Sequence, residues 1–176
     1  MGYTLEIGEA ELDYSEDGCG VGCKTFKHDD APAFGDPTDH ESCRWPSYLA
    51  WSNAMRTLCM MDVMFDRRNG GSEELVLEGK YITPLIESHP GVTPITKAHV
   101  EYVEQKLAEY KAKHPTHIAE YPPPKPDAKP IFGDIYREED LSDDPKYDGA
   151  LCRGIWLAYW LRWAFENCEK PVFANH

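Results

Sequence analysis

Positive charge is what this sequence most lacks. Lys and Arg number 18 against 31 Asp and Glu, a net charge of −13 at pH 7. A nucleic-acid-binding face displaces counterions with a basic footprint, so no direct binding to DNA or RNA is expected. Docking on an anionic membrane surface is disfavoured for the same reason. Long apolar runs are missing too. The longest, Ile155 to Leu161, is far short of a membrane span. The opening residues, Met-Gly-Tyr-Thr-Leu-Glu-Ile, carry neither the basic start nor the apolar run of a secretory signal. Six cysteines therefore stand without other signs of export, and the expectation is a soluble, reduced, cytoplasmic protein. Also missing are a Ser-His-Asp order, a nucleophile elbow and an H-E-x-x-H pattern, so no catalytic motif selects an enzyme class.

What is present argues for one domain over residues 1–176. Hydrophobic residues make up 41% of the chain, with five Trp and ten Tyr, enough for a real core in a single unit. Tyr3, Leu5 and Ile7 alternate with polar residues. Ala10, Leu12 and Tyr14 alternate in the opposite phase. A two-residue turn at Gly8-Glu9 reconciles the phases and predicts a hairpin over 3–14. Residues 15–45 are punctuated by Gly and Pro and read as a long wrapping loop. Pro46 opens a predicted helix over 46–66, with Trp51, Met55, Leu58, Met61 and Phe65 at three- and four-residue steps. "ELVLEGKYI" fits either a short hairpin around Glu78-Gly79 or a helical turn and a loop.

Thr96 is a good N-cap for a helix over 97–113, with Ile95 and Val100 placed for a hydrophobic staple. Val100, Val103, Leu107 and Tyr110 form its stripe. Residues 115–130 hold six of the fourteen prolines and read as an extended connector. The last predicted helix, 147–167, is apolar on nearly every side and so belongs at the centre of its domain. Cys59, Cys152 and Cys168 fall in or beside apolar helical patterns, where thiols act as small hydrophobes. The expected fold class is α+β, mainly α: a three-helix core with an N-terminal hairpin and two long wrapping loops.

The stretch "GCGVGCKT", 18–25, sits one residue away from a phosphate-binding loop, with Cys23 where the second Gly belongs. The acidic "DYSEDG" before it and the proline-broken "FKHDDAPAFGDP" after it supply neither the strand nor the helix N-terminus that such a loop needs. Cys19, Cys23, His28, His40 and Cys43 are the candidate ligands of a structural zinc, which would staple the loop. The C-x3-C spacing departs from the C-x2-C of zinc knuckles, and the alternative is a glycine-rich loop with inert thiols. No other cofactor is expected. Asp29, Asp30, Asp36, Asp39 and Glu41 lack calcium-loop spacing and read as a solvated acidic loop. His114 and His117, in "HPTH", pose a choice between a paired acid and base and a cation-compatible helix end, and the second is the simpler. Arg162 has Glu166 four residues on as a partner.

Three stretches resemble uncharacterised small proteins of tailed bacteriophages and prophages. They are "DAPAFGDPTDHESCRWPSYLAW" (30–51), "HPGVTPITKAHV" (89–100) and "YDGALCRGIWLAYWLRWAFENCEKP" (147–171). The resemblance implies a location, the cytoplasm of an infected bacterium, and no activity. The resulting expectation is a non-enzymatic phage accessory protein that binds a host protein, as an inhibitor or anti-defence factor. Its contact residues would be Glu6, Glu11, Asp13, Glu138, Glu139, Asp140, Asp143 and Asp144. The alternative is a small-molecule or nucleotide-binding protein or enzyme. Its site would lie between the 15–45 loop and the aromatic helices, using Arg153, Trp156 and Trp160.

Overall fold

Leu5–Asp13 forms one unbroken strand, β1, where the alternation predicts a hairpin. The computed structural model describes residues 2–13, 20–34, 40–66, 75–77, 80–130, 136 and 140–176. Cys19, Glu138 and Glu139 lie outside these residues, as does the side chain of Asp13. After β1 come strands β2 (Gly20–Lys24) and β3 (Cys43–Arg44), then helices α1 (Tyr48–Thr57) and α2 (Met61–Met64). Strands β4 (Val76–Leu77), β5 (Lys80–Tyr81) and β6 (Gly91–Pro94) follow. Helices α3 (Lys97–Lys113) and α4 (Gly149–Asn167) and strand β7 (Pro171–Asn175) complete the order.

Among the described residues the main sheet has five strands in the order β2-β1-β7-β6, with β3 also paired to β1, and every pairing is antiparallel. This corrects the expected fold class. The protein is a mixed α/β fold with a five-stranded antiparallel sheet, and the mainly helical three-helix core is overturned. The first and last strands lie side by side at its heart, with Leu5 opposite Asn175 and Ile7 opposite Phe173.

Gly8 is why the hairpin reading fails. A Cβ at Gly8 would stand 2.0 Å from the Lys24 carbonyl oxygen. The glycine therefore serves close backbone approach within a continuous strand, and no turn is made there. Beside it, the Glu9 carboxylate accepts from the N–H groups of Glu169 and Lys170 at 2.7 and 2.9 Å, tying β1 to the entry of β7. The predicted 15–45 loop likewise contains two strands of this sheet, β2 and β3. In "ELVLEGKYI", β4 and β5 pair antiparallel.

Helix α4 lies against α3, α1 and the sheet strands β1 and β7. Its residues Trp156, Leu157, Trp160 and Leu161 are fully buried, together with Leu5, Ile7 and Phe173 of the sheet. Gly154 permits its close approach to its neighbours, since a Cβ there would meet Leu58 Cδ1 at 2.8 Å. The predicted 46–66 helix is broken in two. Met60 N–H bonds Met55 O and Cys59 N–H bonds Arg56 O, the Schellman pattern, with Cys59 left-handed at φ 56°. Met55 and Met60 are both fully buried, so the apolar period survives the break although the helix does not. Of the three thiols expected to act as hydrophobes, Cys152 is buried, Cys168 half-buried and Cys59 exposed. Among the described residues, no helix is long and apolar enough to cross a membrane.

Candidate functional site

Where α3 ends, the chain turns through Pro115 and Thr116, and His117 N–H bonds the His114 carbonyl at 3.1 Å. The next residue, Ile118, makes a parallel bridge with Tyr147. That bridge carries His117 to Asp148, the residue that caps α4. Asp148 Oδ1 accepts the N–H groups of Ala150 and Leu151 at 2.9 and 3.0 Å. Its other oxygen, Oδ2, accepts from Tyr110 O–H and from His117 Nδ1, each at 2.6 Å. A carboxylate that accepts four hydrogen bonds is an orienting anchor as well as a cap.

The electrostatics agree. Burial by itself would raise the Asp148 pKa. Hydrogen bonds from Tyr110, the Leu151 N–H, His117 and the Ala150 N–H outweigh it and hold the carboxyl below its usual range. The Tyr110 phenol is pushed up to about 12, by burial first and then by its bond to Asp148 and the carboxylate charge. Asp148 is thus ionised at neutral pH and Tyr110 keeps its proton.

An ionised carboxylate only accepts, so His117 holds its hydrogen on Nδ1. A neutral ring then has its lone pair on Nε2, which has no hydrogen-bond partner among the described residues. His117 is about one third exposed, while Asp148 is only 11% exposed. The imidazole rings of His114 and His117 lie 4.6 Å apart and tilted by 30°, and His114 packs on Tyr110 at 4.5 Å. His114 and His117 line an open cleft of about 360 Å³. Lys111 and Glu120 add one charge of each sign, and Ile118, Leu151 and Ile155 form an apolar wall. An oriented imidazole beside an apolar wall equips the cleft to bind a small molecule and to exchange a proton with it.

The sequence singles out both histidines but favours a merely structural role for them. Asp148 and Tyr110 were missed as site residues. The one signal for Asp148 was its N-cap position before "GALC", and nothing in the sequence ties it to His117, 31 residues away.

The other candidates are dispersed. Trp156 and Trp160 are fully buried, and Trp156 Nε1 donates to the Glu41 carbonyl at 2.9 Å. Arg153 donates to the Gly149 carbonyl at 2.8 Å and lies over Phe34. Arg162 grips Glu104 through two nitrogens, at 2.9 and 2.5 Å, and reaches Glu166 at 3.4 Å.

Among the described residues, no group of three or more His, Cys, Asp or Glu could hold a metal. Cys23 stands opposite Ala10 on β1, and Cys43 opposite Glu6. Cys43 Sγ lies 3.9 Å from Glu6 Oε1. His28 stacks on Trp160 and packs at a tilt against Trp163, and His40 Nδ1 meets the Ala31 carbonyl. Burial, then the charges of Glu6, two neighbouring thiols and Glu11, push the Cys23 thiol up to about 12.

Of the acidic candidates, Glu11, Asp143 and Asp144 are exposed. Asp140 is half-buried, and Glu6 pairs with His176 at 3.3 Å. Comparison with protein-family models, curated proteins and solved structures finds no match to this chain.

Proposed function

We propose that the protein binds a small weak acid with an apolar body in the cleft between the end of α3 and the start of α4, and that His117 is the group that exchanges a proton with it. The observation that carries this reading is the 2.6 Å bond from His117 Nδ1 to the ionised Asp148, which leaves Nε2 for a ligand. Ile118, Leu151 and Ile155 suit an aromatic or branched hydrocarbon body. Lys111 and the two imidazoles suit an anionic head, against one carboxylate, Glu120, among the described lining residues.

The test is a titration with benzoate, benzyl alcohol and inorganic phosphate, followed by NMR of the histidine rings and the aliphatic methyls. Benzoate is expected to move His114, His117, Leu151 and Ile155 together. The alcohol, lacking the charged head, and phosphate, lacking the apolar body, bind more weakly. Equal response to all three, or none at these residues, rejects the reading.

A second reading is favoured by the charge of −13. Here the protein is a non-enzymatic accessory factor that engages a basic host protein through its carboxylates, among them the exposed Glu11, Asp143 and Asp144. Such binding weakens steeply with salt. Replacing these three residues by their amides would lower the salt dependence of binding to a cationic partner, and an unchanged slope would reject this face.

A further inference from the structure

Away from the cleft, three segments distant in sequence bring a hydroxyl, an imidazole and an amide into one hydrogen-bonded line. Tyr48 is the first residue of α1, His89 precedes β6, and Asn175 ends β7. Tyr48 Oη lies 2.8 Å from His89 Nε2, and His89 Nδ1 lies 2.8 Å from Asn175 Oδ1.

The direction of these bonds follows from Asn175. Its Nδ2 donates to the Ser88 and Gly91 carbonyls at 3.0 and 3.2 Å, so Oδ1 is the atom that faces His89. Flipping the amide would set an oxygen against two carbonyl oxygens. His89 therefore donates from Nδ1, and its Nε2 accepts the Tyr48 hydroxyl proton. Asn175 is only 1% exposed, which fixes the far end of the line. Tyr3 packs edge-on against both rings, at 4.5 Å from Tyr48 and 5.2 Å from His89. This is the nucleophile, base and orienting-group arrangement of covalent catalysis, with a phenol as nucleophile. Trp45 and Leu49, 65% and 71% exposed, flank Tyr48 in the chain with apolar surface.

We propose that Tyr48, His89 and Asn175 form a second site, at which Tyr48 takes up an acyl group from an uncharged activated ester. The Tyr48 oxygen attacks the ester carbonyl carbon while its proton passes to His89 Nε2. The bond from that carbon to the leaving oxygen then breaks, the leaving oxygen keeps the electron pair, and His89 returns the proton to it. The products are an acyl ester on Tyr48 and a free alcohol or phenol, and no redox partner is needed. Asn175 acts as a positioning residue that keeps the hydrogen on Nδ1.

The test is brief exposure of the full chain to p-nitrophenyl acetate, with peptide mapping of acetylated tyrosines. Tyr81 is the internal reference, being 53% exposed and so open to reagent. Tyr48, which is only half-buried, is expected to be labelled ahead of it. In His89→Gln the Tyr48 rate falls by about 100-fold or more, the usual contribution of a positioned base, while the Tyr81 rate is unchanged. Asn175→Ala produces a smaller loss confined to Tyr48, and Tyr48→Phe abolishes labelling at that position. A variant that merely loosens the fold would also raise the labelling of Tyr147, whose hydroxyl is buried, so labelling there separates lost structure from lost catalysis. Tyr48 labelled no faster than Tyr81, or a ratio of the two untouched by His89→Gln, overturns the proposal.

Discussion

His117 and His89 are held in the same tautomer by different means. At the end of α3 the orienting group is a carboxylate, Asp148, which also caps α4. On the opposite arm it is a neutral amide, Asn175, set into the middle strand pairings of the sheet. A carboxylate fixes the ring and also complements the charge of an imidazolium, whereas an amide fixes the ring alone. The first arrangement suits proton exchange with a bound weak acid. The second suits a base that takes a proton briefly from a neighbouring hydroxyl. The supports differ as well, one being a helix terminus and the other a strand whose partner is the opposite end of the chain.

The largest expected effect comes from breaking that second support. Gly8→Ala would drive a Cβ into the Lys24 backbone beside the β1–β7 pairing. It should destabilise the protein by about 3 kcal/mol or more, read by chemical denaturation, because backbone cannot yield as a side-chain tip can. Asp148→Ala attacks the first support. It removes the acceptor of two capping N–H groups, of Tyr110 and of His117, and should cost about 2–3 kcal/mol in the same assay.

The comparison is sharpened by pH, because only one of the two orienting groups ionises. The Asp148 pKa is lowered in the folded state, so its stabilising effect is present above about pH 4 and lost as pH falls through and below that value. Asp148→Asn should remove this acid-side loss, whereas Asn175→Ala should leave it intact. His99 contributes a separate acid-side loss. Burial lowers its pKa, partly opposed by its bond to the Thr83 carbonyl. Its neutral form stabilises the fold above about pH 6.5, and that contribution declines as pH falls below it. Equilibrium unfolding measured against pH in a His99→Gln background would show the loss near neutrality removed and the one near pH 4 retained. The smallest effect belongs to neither site. Cys59→Gly relieves a left-handed backbone at the end of α1 and should stabilise by about 0.5–1 kcal/mol in thermal unfolding.

How much of this was legible follows from the range of each signal. Helix α3 spans Lys97–Lys113, where its cap and stripe place it, because Thr96, Ile95 and Val100 act within one turn. Helix α4 announced itself by apolar density, and its Trp156 and Trp160 are interior. The sheet did not, because β3 has two residues, β6 four and β7 five, too few for a period to show. Gly8 misled because turns and close backbone contacts call for the same residue. The break at Cys59 was hidden because its left-handed position carries no glycine. The two sites depend on contacts between residues 31, 41 and 86 positions apart, and no local pattern encodes those distances.

The most direct test of the role given to His117 is its ring-nitrogen spectrum, recorded above neutral pH with and without benzoate. Without benzoate the hydrogen should reside on Nδ1; with benzoate Nε2 should take up a proton and donate it to the bound carboxylate, while Nδ1 stays with Asp148. A hydrogen found on Nε2 without benzoate, or an Nε2 signal indifferent to benzoate, would contradict the account.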